Sequence, residues 1–209
     1  MLHLNTISEP VRHLLLSFSA SEQLQNFALA GGTALALHLG HRKSIDIDLF
    51  AFNQTDMYET SLYLENSFNQ IDVRKTSNAF IFCFINNIKC DFVNHSRHLL
   101  IKPILTLDNI RLFSKEDIAA MKLNAICGRG SKKDFYDIFS LLKIFSLKEM
   151  LSFYDYKFKS DNSWMALRSL QFYEDTDMQE QPELITEFPK WEEIKSHIYN
   201  EVNNYNFNA

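Results

Sequence analysis

The feature that most constrains this chain is a short string in its first quarter. The apolar run Phe27–Ala30 meets Gly31 and Gly32, Thr33–Leu39 follows, and Gly40 closes the segment. Ile45, Asp46, Ile47, Asp48 and Leu49 then alternate strictly between apolar and acidic residues. An apolar run ended by paired glycines reads as a buried strand entering a tight turn, and Thr33–Leu39 before Gly40 reads as a helix. The alternation has the period of a strand, so Asp46 and Asp48 share one face, about 6–7 Å apart along the backbone. Turn and acidic strand are separated by little more than a helix and a loop, so they can be neighbours in one sheet.

Two carboxylates set among Ile45, Ile47 and Leu49 have no packing reason to be there. Their mutual repulsion is relieved either by water on an open strand face or by a divalent cation. The glycine turn lets backbone approach phosphates, with free amides at the start of the Thr33 helix, or it is a tight turn that binds nothing. Each motif alone is ambiguous; their succession favours a phosphate cradle beside a metal-binding strand.

The rest of the chain places this unit in an α+β protein. Ser8, Pro10 and the spacing of Val11, Leu14, Leu15 and Phe18 predict an N-terminal helix. Residues 56–68 look helical, and Phe80–Ile85, Asn86-Asn87 and Ile88–Val93 predict a hairpin whose Asn pair suits a turn of positive φ. After about residue 108 the character changes. Ser114 and Asp117 form a variant capping box opening a helix that should end at Gly128, and a second helix should run from Ser131 through Lys143. Helices are expected around Leu147–Phe158, Ser163–Tyr173 and Trp191–Asn203, with Glu174–Pro182 as a loop. The expected organisation is an α/β core over 1–108 and a helical subdomain over 109–209.

Composition bounds the partners. The chain has 209 residues, 46% hydrophobic and 22% charged, enough for a sizeable core and unlike a disordered segment. A net charge of −5 argues against a generally basic nucleic-acid coat, though not against a local basic groove. No apolar run approaches the roughly 18 residues of a membrane helix, and the N-terminus lacks a signal-peptide pattern, so a cytoplasmic location is expected. Cys83, Cys90 and Cys127, odd in number and without a CxxC pair, are expected to be small buried thiols. His41 is expected to be a partly exposed turn residue, and the seven histidines show no metal-ligand spacing.

In Lys115–Lys143, Lys122 shares the helical stripe of Ile118, Met121 and Ala125, so its ammonium must snorkel out or meet an anion. Asp134 and Asp137 share a face with Ile138 and Leu141 on the next helix. They position Lys122, Arg129 or a bound nucleotide, or they join Lys122, Arg129 and Lys133 in an ion-pair set that only holds two helices together.

The string GGTALALHLGHRKSIDIDLF, Gly31–Phe50, resembles the signature of polymerase-beta-like nucleotidyltransferases. More narrowly, with Arg42-x-Ser44 ahead of Asp46, it is similar to the AbiEii/AbiGii toxin family, which also carries a Lys in one helix and an Asp-x-x-Asp in the next. The resemblance covers roughly residues 27–143. It implies a small mixed sheet flanked by helices, and a third carboxylate on a later strand, for which Asp91 in IKCDFV is the match. It further implies transfer of a nucleoside monophosphate from an NTP to an acceptor hydroxyl, in RNA such as tRNA or in protein, with a toxin role and a cognate antitoxin as partner. Asp46, Asp48 and Asp91 would hold two Mg²⁺ ions, or Mn²⁺ in their place. Gly31, Gly32 and Thr33 would cradle phosphates, Arg42, Ser44 and Lys122 would offset their charge, and Asp134 and Asp137 would orient the nucleotide or Lys122. The competing readings are a nucleotide- or antitoxin-binding protein without catalysis and a nucleotidyltransferase acting on an antibiotic hydroxyl.

Overall fold

The computed structural model describes residues 1–159 and 163–208, with Arg129 and residues 206–208 described by their backbone alone. Helix α1 (Glu9–Ala20) starts at Ser8, whose hydroxyl accepts from the Val11 amide, and buries Val11, Leu14, Leu15 and Phe18. The three-residue strand β1 (Phe27–Leu29) is fully buried and leads directly into α2 (Gly31–Leu39). The helix thus begins at Gly31 rather than Thr33, both glycines lying in its first turn, and it stops at left-handed Gly40. Strand β2 (Ile47–Ala51) starts two residues later than the alternation suggests. Ile45 lies outside it, 73% exposed, and the Asp46 carbonyl is tied down by the Thr33 hydroxyl instead of a ladder.

Helix α3 (Met57–Ser67), capped by Asp56, leads to β3 (Ile71–Thr76), β4 (Phe80–Ile85) and β5 (Ile88–Asn94). The β4–β5 turn has Asn86 and Asn87 at φ 52° and 63°, the conformation for which the Asn pair is suited. A second hairpin with the same two-residue turn, β6 (Leu105–Leu107) and β7 (Ile110–Leu112), turns at Asp108 and Asn109 with φ 49° and 62°. The seven strands form one mixed sheet in the order β3-β4-β5-β2-β1-β7-β6. Its centre is a parallel pair, β2 with β5, in the register Ile47↔Cys90, Asp48↔Asp91 and Leu49↔Phe92.

One face of the sheet is dry. Ile81, Cys83, Ile85, Cys90 and Phe92 are buried there, and Phe18 of α1 meets Phe92 edge-on at 5.6 Å. The opposite face carries Asp48, Phe50 and Asp91.

The second half is helical. Helix α4 (Lys115–Arg129) opens at Ser114, whose Oγ accepts from the Asp117 amide at 3.0 Å. It runs through Gly128, which does not take the left-handed conformation that ends α2 at Gly40. The Asp117 carboxylate pairs at 2.7 Å with Lys157 of α6 (Leu147–Phe158), both side chains fully buried. Helix α5 (Lys132–Leu142) lies between α4 and the C-terminal α8 (Trp191–Asn208), with the short α7 (Trp164–Ser169) near the end of α4. Cys83 and Cys90 are buried free thiols as expected, whereas Cys127 is half-buried. No helix among the described residues is long and apolar enough to cross a membrane.

Candidate active site

The register of the two central strands assembles the acidic face. Directly opposite residues of adjacent strands have side chains on the same side, so Asp48 and Asp91 stand next to each other, one strand spacing of about 4.8 Å apart. Asp46, two residues before Asp48, precedes β2 on that side. Burial raises the Asp48 carboxyl above its ordinary range, and the Asp91 and Asp46 charges raise it further, against the pull of Lys89 and Lys122. A carboxyl raised by burial and by neighbouring carboxylates, in a cleft, marks a place where positive charge is wanted.

Gly31 borders this cluster. Its φ of 65° belongs to the left-handed region, and a Cβ added there would run into the Asp48 carboxylate. A Cβ on Gly32 would likewise meet the Arg42 guanidinium. The glycine turn therefore lets one carboxylate and one cation approach the start of α2.

Thr33 is set back from the cleft wall, whereas Ser44 forms part of it. The Thr33 hydroxyl, buried, lies 2.8 Å from Ser44 Oγ and donates to the Asp46 carbonyl, so this pair fixes the start of the acidic strand. Gly31, Gly32, Arg42, Ser44, Asp46, Asp48, Lys122 and Asp134 all line one cleft, whose apolar side is Phe50, Ile118, Met121 and Ala125.

Behind it stands a buried ion network. Asp137 is fully buried and accepts from Arg42 through two parallel bonds, Nε to Oδ1 at 2.7 Å and Nη2 to Oδ2 at 2.8 Å. His41 Nε2 donates to Oδ1 at 2.7 Å, so His41 is buried and engaged, not a partly exposed turn residue. Lys122 Nζ lies 2.6 Å from Asp137 Oδ2 and 2.7 Å from Asp134 Oδ1. The second Asp134 oxygen caps α5, accepting from the Ser131 hydroxyl at 2.5 Å and its amide at 3.2 Å. Two cations, Arg42 and Lys122, thus balance two buried carboxylates. Burial alone would raise Asp137, but Lys122 and Arg42 hold it well below the usual carboxylate range. Lys122 is correspondingly raised, burial being outweighed by Asp137 and Asp134.

Two lysines with no place in the sequence-based site complete the cleft. Lys89 Nζ donates to Asp91 Oδ2 at 2.6 Å, and Lys133 Nζ lies 3.8 Å from Asp46 Oδ2. Lys89 was legible in principle, because it precedes Asp91 by two residues on one strand and must share its face. Among the described residues no three His, Cys, Asp or Glu side chains converge into a finished cation cage. Asp46 and Asp91 are each turned to a lysine instead. The donors nonetheless suit a hard divalent cation: carboxylate oxygens, two on neighbouring strands in register, with a glycine making room beside Asp48.

Known proteins resemble the chain along nearly its whole length. The family profile described as "Nucleotidyl transferase AbiEii toxin, Type IV TA system" matches residues 13–208. The uncharacterized protein aq_aa25 of Aquifex aeolicus strain VF5 is 32% identical over 185 residues, covering 86% of this chain and 88% of its own. Two solved structures share the fold. A candidate nucleotidyltransferase from H. pylori is 16% identical and superposes with a TM-score of 0.53 over 94% of this chain and 95% of its own. MenT4, the nucleotidyltransferase toxin Rv2826c of Mycobacterium tuberculosis H37Rv, is 14% identical with a TM-score of 0.56 over 91% of this chain and 80% of its own. The glycine turn, the acidic strand pair and the Lys122–Asp134–Asp137 network are thus features of a chain that belongs to the AbiEii family of nucleotidyltransferase toxins.

Proposed function

We propose that this nucleotidyltransferase moves a nucleoside monophosphate from an NTP to an acceptor hydroxyl, in RNA such as tRNA or in protein, as the toxin of a bacterial toxin–antitoxin or phage-defence pair. The observation that carries the reading is the Asp48↔Asp91 register, with Asp46 ahead of Asp48 and Gly31 against it. In this reading Asp46, Asp48 and Asp91 hold two Mg²⁺ ions, or Mn²⁺ in their place. When bound, such ions supply the charge that bridges a triphosphate and lower the pKa of a bound hydroxyl.

The acceptor oxygen forms a bond to the α-phosphorus while the bond from that phosphorus to the bridging oxygen breaks, and pyrophosphate leaves with that oxygen. Asp91, nearest the open side of the sheet, receives the hydroxyl proton. Gly31, Gly32 and the α2 N-terminus lie against the phosphates with Ser44 beside them, and Thr33 braces the turn from behind. Arg42 and Lys122 offset phosphate charge from the network, and Asp134 and Asp137 orient Lys122. Most of the catalysis is positioning and charge neutralisation, as a phosphorus-centred transfer requires. The catalytic unit is residues 1–108, its sheet extended by β7 beside β1, with α4 and α5 from 109–209 closing over the cleft. The protein works in the cytoplasm beside a cognate antitoxin.

Incubation of the purified chain with α-labelled NTPs and separate RNA, protein and aminoglycoside pools tests this. Label in the RNA or protein pool, dependent on a divalent cation, is the expected result. Label only in the aminoglycoside pool would replace the acceptor class. Stabilisation by Mg-NTP with no transfer to any pool would leave a binding protein.

A further inference from the structure

The same sheet face that presents Asp48 and Asp91 continues outward onto β4 and β3, and there it carries an unusual surface. Phe80, Phe82 and Phe84 alternate along β4 with the buried Ile81, Cys83 and Ile85, so the three rings stand together on the side away from α1 and α3. They remain half-buried, although a strand with one dry face ordinarily offers polar residues on the other. Each ring has its own cation. Lys75 Nζ lies 5.2 Å from the Phe80 centroid, Lys89 Nζ 5.6 Å from Phe82, and the Arg74 guanidinium 5.9 Å from Phe84. Phe82 and Phe84 are 5.4 Å apart and tilted by 59°.

The surface borders the active site at the Lys89–Asp91 pair. Phe82 is directly opposite Asp91, and Asp91 directly opposite Asp48, so Phe82 lies about two strand spacings, roughly 10 Å, from Asp48. A groove of about 480 Å³ lies over the outer part of this path, lined by Phe80, Phe82, Lys89, Asp91, Val93 and Asn94, and it shares Lys89 with the cleft that holds Asp48. Acidic residues on the face are few: Asp72 is neutralised by Arg74 at 2.6 Å, and Asp91 is bound to Lys89.

We propose that this face of β3–β4–β5 is the docking platform for a single-stranded nucleic-acid acceptor, whose bases stack on Phe82 and Phe84 and whose terminal hydroxyl reaches Asp91. The inference rests on the transfer reading above and names its acceptor. Phe82 and Phe84, on alternate strand positions with centroids 5.4 Å apart, offer neighbouring aromatic surfaces to adjacent bases of a single strand. Base stacking on exposed aromatics tolerates any sequence, and the neighbouring cations supply phosphate contacts. Lys75 meets its ring through an exposed cation–π contact, and Arg74 adds to its own an exposed pair with Asp72, the weak class of contact that a phosphate can displace. A base-paired end fits less well, because its bases are already stacked. A protein acceptor would have no use for three ring–cation pairs beside the reacting carboxylates.

The test is fluorescence anisotropy of the full chain with a labelled, unstructured oligoribonucleotide, with a blunt RNA duplex as comparator. Wild-type protein should bind the single strand more tightly than the duplex. Phe82→Ala and Phe84→Ala should each weaken single-strand binding about tenfold. The double variant Arg74→Gln/Lys75→Gln, whose exposed side chains carry no core packing, should weaken it and flatten its salt dependence. Equal affinity of the ring variants and wild type, absence of single-strand binding by wild type, or wild-type labelling of a protein pool by the ring variants would overturn the platform. Mg-ATP binding, measured on the same proteins, should be unchanged in the ring variants, and its value in wild type bears on the transfer reading alone.

Discussion

Lys122→Met removes one charge from the network behind the cleft while keeping the apolar stem that packs beside Met121 and Ala125. In the native protein Lys122 is 7% exposed and pairs at 2.7 Å with Asp134 and at 2.6 Å with Asp137, which are 4% and 0% exposed. Deleting one partner of a buried pair costs about 3–5 kcal/mol, because the surviving carboxylate stays desolvated. Here the loss is cushioned. Asp137 keeps both Arg42 bonds and His41, and Asp134 keeps the Ser131 cap. The expected cost is therefore the lower end, about 3 kcal/mol, or about 6–12 °C in Tm for a chain of this size. Adding Asp134→Asn removes the stranded charge and should recover part of the loss, a coupling that a double-mutant cycle in urea would measure. Because Lys122 also lines the cleft, NTP affinity of the folded variant should fall about tenfold, equivalent to ~1.4 kcal/mol. Unchanged stability would refute the buried-pair energetics. Lower stability with native nucleotide affinity would confine Lys122 to holding α4 against α5.

Gly31→Ala places a methyl group on the Asp48 carboxylate at a left-handed residue. It should cost about 1–3 kcal/mol in a thermal melt and reduce transfer far more than stability. His95, buried among Phe50, Phe113 and Phe158, is pushed down to about 3 by burial and by the Lys157 and His98 charges. A histidine neutral in the fold but protonated in the unfolded chain below its ordinary value of about 6.5 contributes stability that is complete above that pH and lost on acidification. The loss between pH 7 and 5 should be about 2 kcal/mol, and His95→Phe should flatten the urea-derived stability profile by that amount. Lys157→Met leaves the fully buried Asp117 with the Ile101 and Lys102 amides and the Ser114 hydroxyl but no cation, so a loss of about 3 kcal/mol is expected, and a loss below about 1 kcal/mol would contradict the pairing.

Much of this was legible locally. The bounds of α6 follow from its periodicity, the β4–β5 turn from Asn86-Asn87, and the acidic strand from Ile45–Leu49, although the ladder starts only at Ile47. Strand β3 escaped because Arg74 and Lys75 interrupt its alternation on an edge that water tolerates. Strands β6 and β7 are three residues each, too short to display a period. The site depended on pairings that no local pattern encodes. Asp48 faces Asp91 only because β2 and β5 pair in parallel, and His41 and Arg42 meet Asp137 across about half the chain. The resemblance to AbiEii toxins supplied Asp91, Lys122 and Asp137, which spacing alone left ambiguous. Lys89 was missed although its alternation with Asp91 was on view.

The most direct test of the carboxylate site is transfer from α-labelled NTP by Asp48→Asn protein, alongside its thermal melt without metal. Burial and the Asp91 charge raise the native Asp48 carboxyl, so ionised Asp48 costs the fold stability at neutral pH. The asparagine variant should therefore melt at the wild-type temperature or above it, while transfer falls by several orders of magnitude, about 10³-fold or more as for loss of a main charge-stabilising group. Wild-type transfer by the folded Asp48→Asn protein would contradict the assignment of Asp46, Asp48 and Asp91 as the metal-holding centre of this enzyme.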